Sequence, residues 1–226
     1  MKGVAVRPND IAGIWIGTND IWPSSYAATD PLIGDLAINR PLGVQPSVGA
    51  LTNYVIGNIQ NGINQLAADG FRNVVLLSPY DMGQSAIEPN AAAAALATRY
   101  SDALIPALSQ LYTPSVNTYF VDVEDLLRQV QANPGVYGFL HTTAADSCAA
   151  NDCASQPISV QNTYIFNDII HTTSAFDQLI ANDATTRVNA GQTIPAPVPE
   201  PASATLVLIG LASVGIARRA RKMAMR

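Results

Sequence analysis

Apolar and polar positions along this chain of 226 residues switch repeatedly between two periods. Ile11 to Ile16, "IAGIWI", is a short apolar run rich in β-branched and aromatic residues, which predicts a buried strand. From Ser47 to Asp69 the spacing becomes helical. Val48, Leu51, Val55, Ile59, Ile63 and Leu66 recur on one face, Ser47 can cap the start, and Gly70 closes the end. "NVVLLS", Asn73 to Ser78, predicts a second buried strand. Asn90 to Leu111 is Ala-rich and helical, with a kink expected at Pro106. "NTYFV", Asn117 to Val121, predicts a third strand, and Glu124 to Ala132 a short helix stopped by Asn133-Pro134-Gly135. Gly138 to Thr163 reads as a loop-rich excursion, and Thr172 to Ala190 as the last helix.

Strands that alternate with helices predict an α/β fold, a parallel sheet between two helical layers in a three-layer α/β/α sandwich. Sites in such sheets form beyond the carboxyl ends of the strands. Here those ends read Gly17-Thr18-Asn19-Asp20, then Pro79-Tyr80-Asp81-Met82-Gly83, then Asp122, so polar residues gather on one rim.

Composition supports an ordered domain: 48% of residues are hydrophobic and 13% charged. The charge is unevenly placed. Residues 1–196 hold 7 Lys/Arg against 16 Asp/Glu, whereas residues 197–226 hold 5 Lys/Arg against Glu200 alone. The acidic body argues against nucleic acid as a partner, because phosphate binding needs a basic face.

The basic end follows a distinctive order. Ile194 to Pro201 is a Pro-rich linker, Ala202 to Ala217 is uncharged, and Arg218, Arg219, Arg221 and Lys222 form a basic cluster. The uncharged run is at the short limit of a membrane-spanning helix, and its basic flank would stay cytoplasmic with the body outside. The expected organisation is a body over 1–193, a linker over 194–201, a short transmembrane helix over 202–217 and a basic tail over 218–226. "VPEPAS", a short apolar helix and an Arg-rich end together resemble the PEP-CTERM sorting signal of Gram-negative bacteria. That resemblance covers Val198 to Lys222. It implies export, recognition by an exosortase, transient anchoring in the inner membrane and delivery to the cell surface or beyond. Export also needs an entry signal. In "MKGVAVRPNDIAG" the residues Arg7, Pro8, Asn9 and Asp10 interrupt any apolar stretch, so a further N-terminal part is expected in the natural protein.

Cys148 and Cys153 lie in a polar loop with four residues between them. In a cytosolic protein they would be free thiols; in an exported one a loop-closing disulfide is the better expectation. No further Cys or nearby His completes a zinc ligand set.

The candidate for chemistry is "FNDIIHTT", with Asp168 and His171. Three residues apart in a helical turn, the two side chains share a face. The carboxylate can then accept from imidazole Nδ1, leaving Nε2 to act as a base. The same spacing also suits an Asp cap beside a surface His.

Four segments in order resemble the SGNH hydrolases, the GDSL family of esterases and lipases: "GIWIGTNDI", "LLSPYDMGQSAIEPN", "VDVEDLLRQVQANPGVYGFLHTT" and "FNDIIHTT". The resemblance runs from about Ile11 to Ala181. It implies a flavodoxin-like SGNH fold, N-terminally incomplete here, and hydrolysis of a carboxylic ester or lipid substrate through an acyl-enzyme with no cofactor or metal. It places Asp168 and His171 as orienter and base, and Asn19 as an oxyanion-hole donor of the kind whose loss typically costs ~10²–10³ in rate. Two departures are Thr172 where the family has Pro after the His, and Tyr80 inserted before Asp81. The Gly-Asp-Ser block that carries the nucleophile does not occur in these residues, and Ser24 and Ser25 lack the strand–turn–helix setting of one. No nucleophile is therefore assigned. A non-catalytic matrix or binding protein on the same scaffold is the competing expectation, and a metal-dependent phosphodiesterase a weaker third.

Overall fold

The computed structural model describes residues 5–18, 20, 47–85 and 91–197. Its contacts divide the chain into Met1–Pro195 and Ala196–Arg226, and every element named below belongs to the first unit. Asn19 and the expected transmembrane helix over 202–217 lie outside the described residues. Among the described residues no helix is long and apolar enough to cross a membrane.

The protein is α/β. Strand β1 (Ile11–Trp15) leads to helix α1 (Val48–Ala68), strand β2 (Asn73–Leu77), helix α2 (Ala91–Ser109), strand β3 (Asn117–Val121) and helix α3 (Val123–Ala132). Two single-turn helices, α4 (Pro134–Tyr137) and α5 (Ile158–Gln161), precede α6 (Ser174–Asn189), the last helix among the described residues. The strands form one sheet in the order β1-β2-β3, parallel throughout, with Ile11 opposite Asn73 and Asn73 opposite Asn117.

The two faces of β2 explain the layers. Successive side chains alternate across a strand. Val74 and Leu76 pack with Val55, Ile59 and Ile63 of α1 and with Tyr100, Leu104 and Leu108 of α2. Val75 faces the opposite way, into a second core with Tyr119, Val121, Leu127, Phe166, Phe176 and Ile180. Helix α1 starts as its sequence predicts, with Ser47 Oγ accepting from the Ala50 N–H. Helix α2 runs through Pro106 and ends three residues later at Ser109, whose hydroxyl donates to the Pro106 carbonyl.

Strand β1 corrects the expectation of a buried strand. Ala12 and Ile14 join the core under α1 and α2, but Ile11 and Trp15 are 48% and 43% exposed. The cause is the placement of the second helical layer. Helix α6 lies on β3, so nothing among the described residues covers the Ile11/Gly13/Trp15 face of the edge strand. Trp15 Nε1 nevertheless reaches across to donate to the Ser78 carbonyl at 3.0 Å.

Ile194, the first residue of the expected linker, belongs to the body. Its side chain is buried, and its N–H donates to the Thr118 carbonyl at 2.8 Å, on the edge of β3 away from β2.

Candidate functional site

Most of the polar rim at the strand ends is taken up by the fold itself. Ser78 Oγ accepts from the Val123 N–H at 2.9 Å, joining the end of β2 to the start of α3. Asp122 caps α3 by accepting from Asp125 N–H. Asp81 accepts from Gly83 N–H at 2.8 Å and from the Thr98 hydroxyl at 3.0 Å, which fastens the loop after β2 to α2. Buried Glu124 accepts from Asp81 N–H at 2.6 Å and from Gln84 Nε2, and pairs with Arg128 at 2.5 Å. The Asp81–Gly83 segment is thus a structural knot, and the acidic groups within it are fully engaged.

Asp168 and His171 do meet, but in a turn of another kind than the helical one expected. Residues 167–170 are bends, closed with His171 by an antiparallel bridge between Phe166 and Thr172 and by Asn167 N–H donating to the His171 carbonyl at 2.7 Å. Helix α6 begins only at Ser174, capped by the Thr173 hydroxyl. Within the turn, Asp168 Oδ1 accepts from the N–H groups of Ile170 at 2.9 Å and His171 at 2.7 Å. Its Oδ2 stands 2.8 Å from His171 Nδ1. A local Asp-to-backbone turn is a favoured alternative to helix for this residue type. Here it aims the carboxylate at the imidazole.

Partial burial pushes the Asp168 carboxyl up, but the bonds from the His171 N–H, the His171 ring and the Ile170 N–H outweigh it and hold the group below its ordinary value. Asp168 is therefore a carboxylate at neutral pH, and it selects the imidazole form with a proton on Nδ1. The His171 side chain is 73% exposed. Among the described residues no Ser, Thr or Cys side chain is hydrogen-bonded to the ring.

The pair lies at the carboxyl end of the central strand. Tyr80, three residues beyond β2, donates its phenol to the Ile170 carbonyl and meets Phe166 edge-to-face, with centroids 5.6 Å apart. Beside the turn is a small polar cleft of about 100 Å³, lined by Cys148, Gln161, Asn167, Thr172, Thr173 and Ser174 among others.

Cys148 and Cys153 are joined in a disulfide, and both are buried with Tyr164. The loop they close leans on the strand-like segment before the turn: Cys148 N–H donates to the Phe166 carbonyl at 2.9 Å, and Ala149 N–H to the Asn167 carbonyl at 2.8 Å. The same excursion holds a second His–Asp contact that the sequence reading missed. His141 Nδ1 lies 2.9 Å from Asp146 Oδ2, Asn151 Nδ2 donates to Asp146 Oδ1, and the His141 ring stacks on Tyr164 with centroids 3.8 Å apart. The spacing of five residues in a loop has no regular period, so only the "H…D" composition of "HTTAAD" could have flagged it. No group of three or more His, Cys, Asp or Glu placed to hold a metal ion occurs among the described residues.

Residues 197–222 match the PEP-CTERM protein-sorting motif. The motif marks an exported, surface-sorted protein that is recognised by exosortase machinery. No curated protein matches the chain.

Proposed function

We propose that the body of this protein is the C-terminal portion of an SGNH-type serine hydrolase acting on carboxylic esters, exported and held briefly at the inner membrane during sorting. One observation carries the reading: an Asp168 carboxylate held 2.8 Å from His171 Nδ1, in a turn tied to the carboxyl end of the central parallel strand. Parallel sheets present their chemistry at that end. In this reading the nucleophile is a serine from a Gly-Asp-Ser-type block, which these 226 residues do not contain. His171 Nε2 takes the serine proton as the hydroxyl attacks the ester carbonyl, and Asp168 holds the ring and stabilises the imidazolium. The Asn19 amide donates to the developing oxyanion. The alcohol leaves with the proton from His171, and water then releases the acid by the same route.

The 226-residue chain alone is expected to hydrolyse p-nitrophenyl butyrate no faster than buffer. The complete reading frame is expected to hydrolyse it, and His171→Ala to lower that rate by ~10²–10⁴, the usual worth of a general base. A complete frame without a Gly-Asp-Ser block, or one that hydrolyses the ester no faster than buffer, would favour a non-catalytic matrix protein on this scaffold, and hydrolysis indifferent to His171→Ala would take His171 out of the mechanism.

A further inference from the structure

The bonds inside the Asp168–His171 turn are local. Asp168 to Ile170 N–H, Asp168 to His171 N–H and Asn167 N–H to the His171 carbonyl all span four residues or fewer. They fix the shape of the turn but not its place on the sheet. The bonds from Cys148 and Ala149 reach Phe166 and Asn167, and they come from another loop. Among the described residues, one side chain from the sheet's own carboxyl rim bonds to the turn itself: Tyr80, whose phenol donates to the Ile170 carbonyl across 90 positions of sequence.

We propose that Tyr80 is a positioning residue that holds the Asp168–His171 pair in place over the end of β2. Ile170 is gripped at both of its peptide groups. Its N–H donates to Asp168 Oδ1, and its carbonyl accepts from Tyr80. Asp168 in turn meets the His171 ring, so the chain of contacts runs from the sheet to the imidazole through one buried residue. The anchor at the sheet end is rigid. Tyr80 is 5% exposed, its ring is wedged against Phe166, and the next peptide N–H is held by Glu124, itself paired with Arg128. Burial, with the charges of Asp168 and Glu124 nearby, pushes the phenol far above its ordinary value, so it is a donor at neutral pH. The inference rests on reading Asp168–His171 as the functional pair.

The test is Tyr80→Phe, which keeps the ring and its contact with Phe166 and removes one donor. Amide hydrogen exchange followed by NMR should show the Ile170 and His171 N–H groups exchanging about tenfold faster, the worth of one net hydrogen bond. Val75 and Leu76 N–H groups in β2 should keep their rates. The His171 ring ¹⁵N shifts should move toward a mixture of tautomers as the Asp168 contact loosens. Replacing Tyr80 with 4-aminophenylalanine, which restores an N–H donor, should return both signals toward wild type. Unchanged exchange at Ile170 and His171 overturns the proposal. So does acceleration of equal size in β2, or a variant that fails to fold, either of which makes the phenol a general stabiliser. These readouts need no turnover: a hydrolase reading that fails on His171→Ala leaves the exchange rates untouched.

Discussion

Gly83 leaves no room beside Thr98: a Cβ placed on it would stand 2.1 Å from Thr98 Oγ1 and 2.5 Å from the Ala94 carbonyl. The approach follows from the knot around Asp81, which draws the loop after β2 onto α2 through the Thr98 hydroxyl. Gly83→Ala should therefore force the loop off the helix, break the Asp81–Thr98 bond and destabilise the protein by about 1–3 kcal/mol, the range for overpacking a filled site. Gly13 on β1 is the internal control, since a Cβ there meets nothing within 4 Å. Gly13→Ala should shift stability by no more than about 0.5 kcal/mol. Urea unfolding of the two variants checks both, and equal midpoints would remove the steric argument.

Acid should weaken the protein through the turn and the disulfide loop together. The bonds at Asp168 outweigh its partial burial, and His141 and then Asn151 hold the Asp146 carboxyl down. Both groups have folded values below the ordinary 3.8. Their contribution is complete above that value and is lost as pH falls through the lower folded values. Thermal midpoints should fall as pH drops below 3.8, and the fall should be shallower in the Asp168→Asn/Asp146→Asn double variant. A fall of the same steepness in that variant would show that other carboxylates govern acid stability.

The sequence carried the periodic parts of the fold and little of what joins them. Val55, Ile59 and Ile63 form the buried stripe of α1, and β2 and β3 begin where their apolar runs begin, because a period repeats whatever packs on it. Burial is another matter. "IAGIWI" reads alike whether one face or two are covered, so the exposure of Ile11 and Trp15 depended on where α6 settled. The Asp168–His171 contact was legible as a spacing of three, yet its cause is an Asp turn rather than a helix. The Tyr80–Ile170 bond joins residues 90 apart and leaves no local trace. Tyr80 showed only as an extra residue before Asp81.

The disulfide should matter more to the turn than its small loop suggests. Closing a loop with Cys148 and Cys153 five positions apart restricts the unfolded chain by about 2 kcal/mol in the chain-entropy view. The loop also donates to the carbonyls of Phe166 and Asn167, directly before Asp168. Cys148→Ser/Cys153→Ser should lower stability by about that amount. It should also speed amide exchange at position 148 and at Ala149 while leaving β2 unchanged. Exchange at Ala149 as slow as in the parent would mean that packing around Tyr164 holds the loop without the bond.

Strand β1 offers the last prediction. Among the described residues it is the edge of the sheet; its Ile11 and Trp15 side chains are 48% and 43% exposed, and Ile16 just beyond it is 50% exposed. Unpaired backbone groups beside an apolar face are a template for pairing with another chain. An inward-pointing or edge charge is the usual remedy, because desolvating an unpaired ammonium at a new strand interface costs several kcal/mol. The 226-residue chain should therefore associate as its concentration rises, and Ile11→Lys should suppress this. The Ile11 side chain lies on the uncovered face, so the substitution removes little of the core that α1 and α2 build on Ala12 and Ile14. Its melting temperature should stay close to that of the parent. Sedimentation velocity over a range of concentrations reads the outcome. Association undiminished in Ile11→Lys, with the fold intact, would place the contact on another surface.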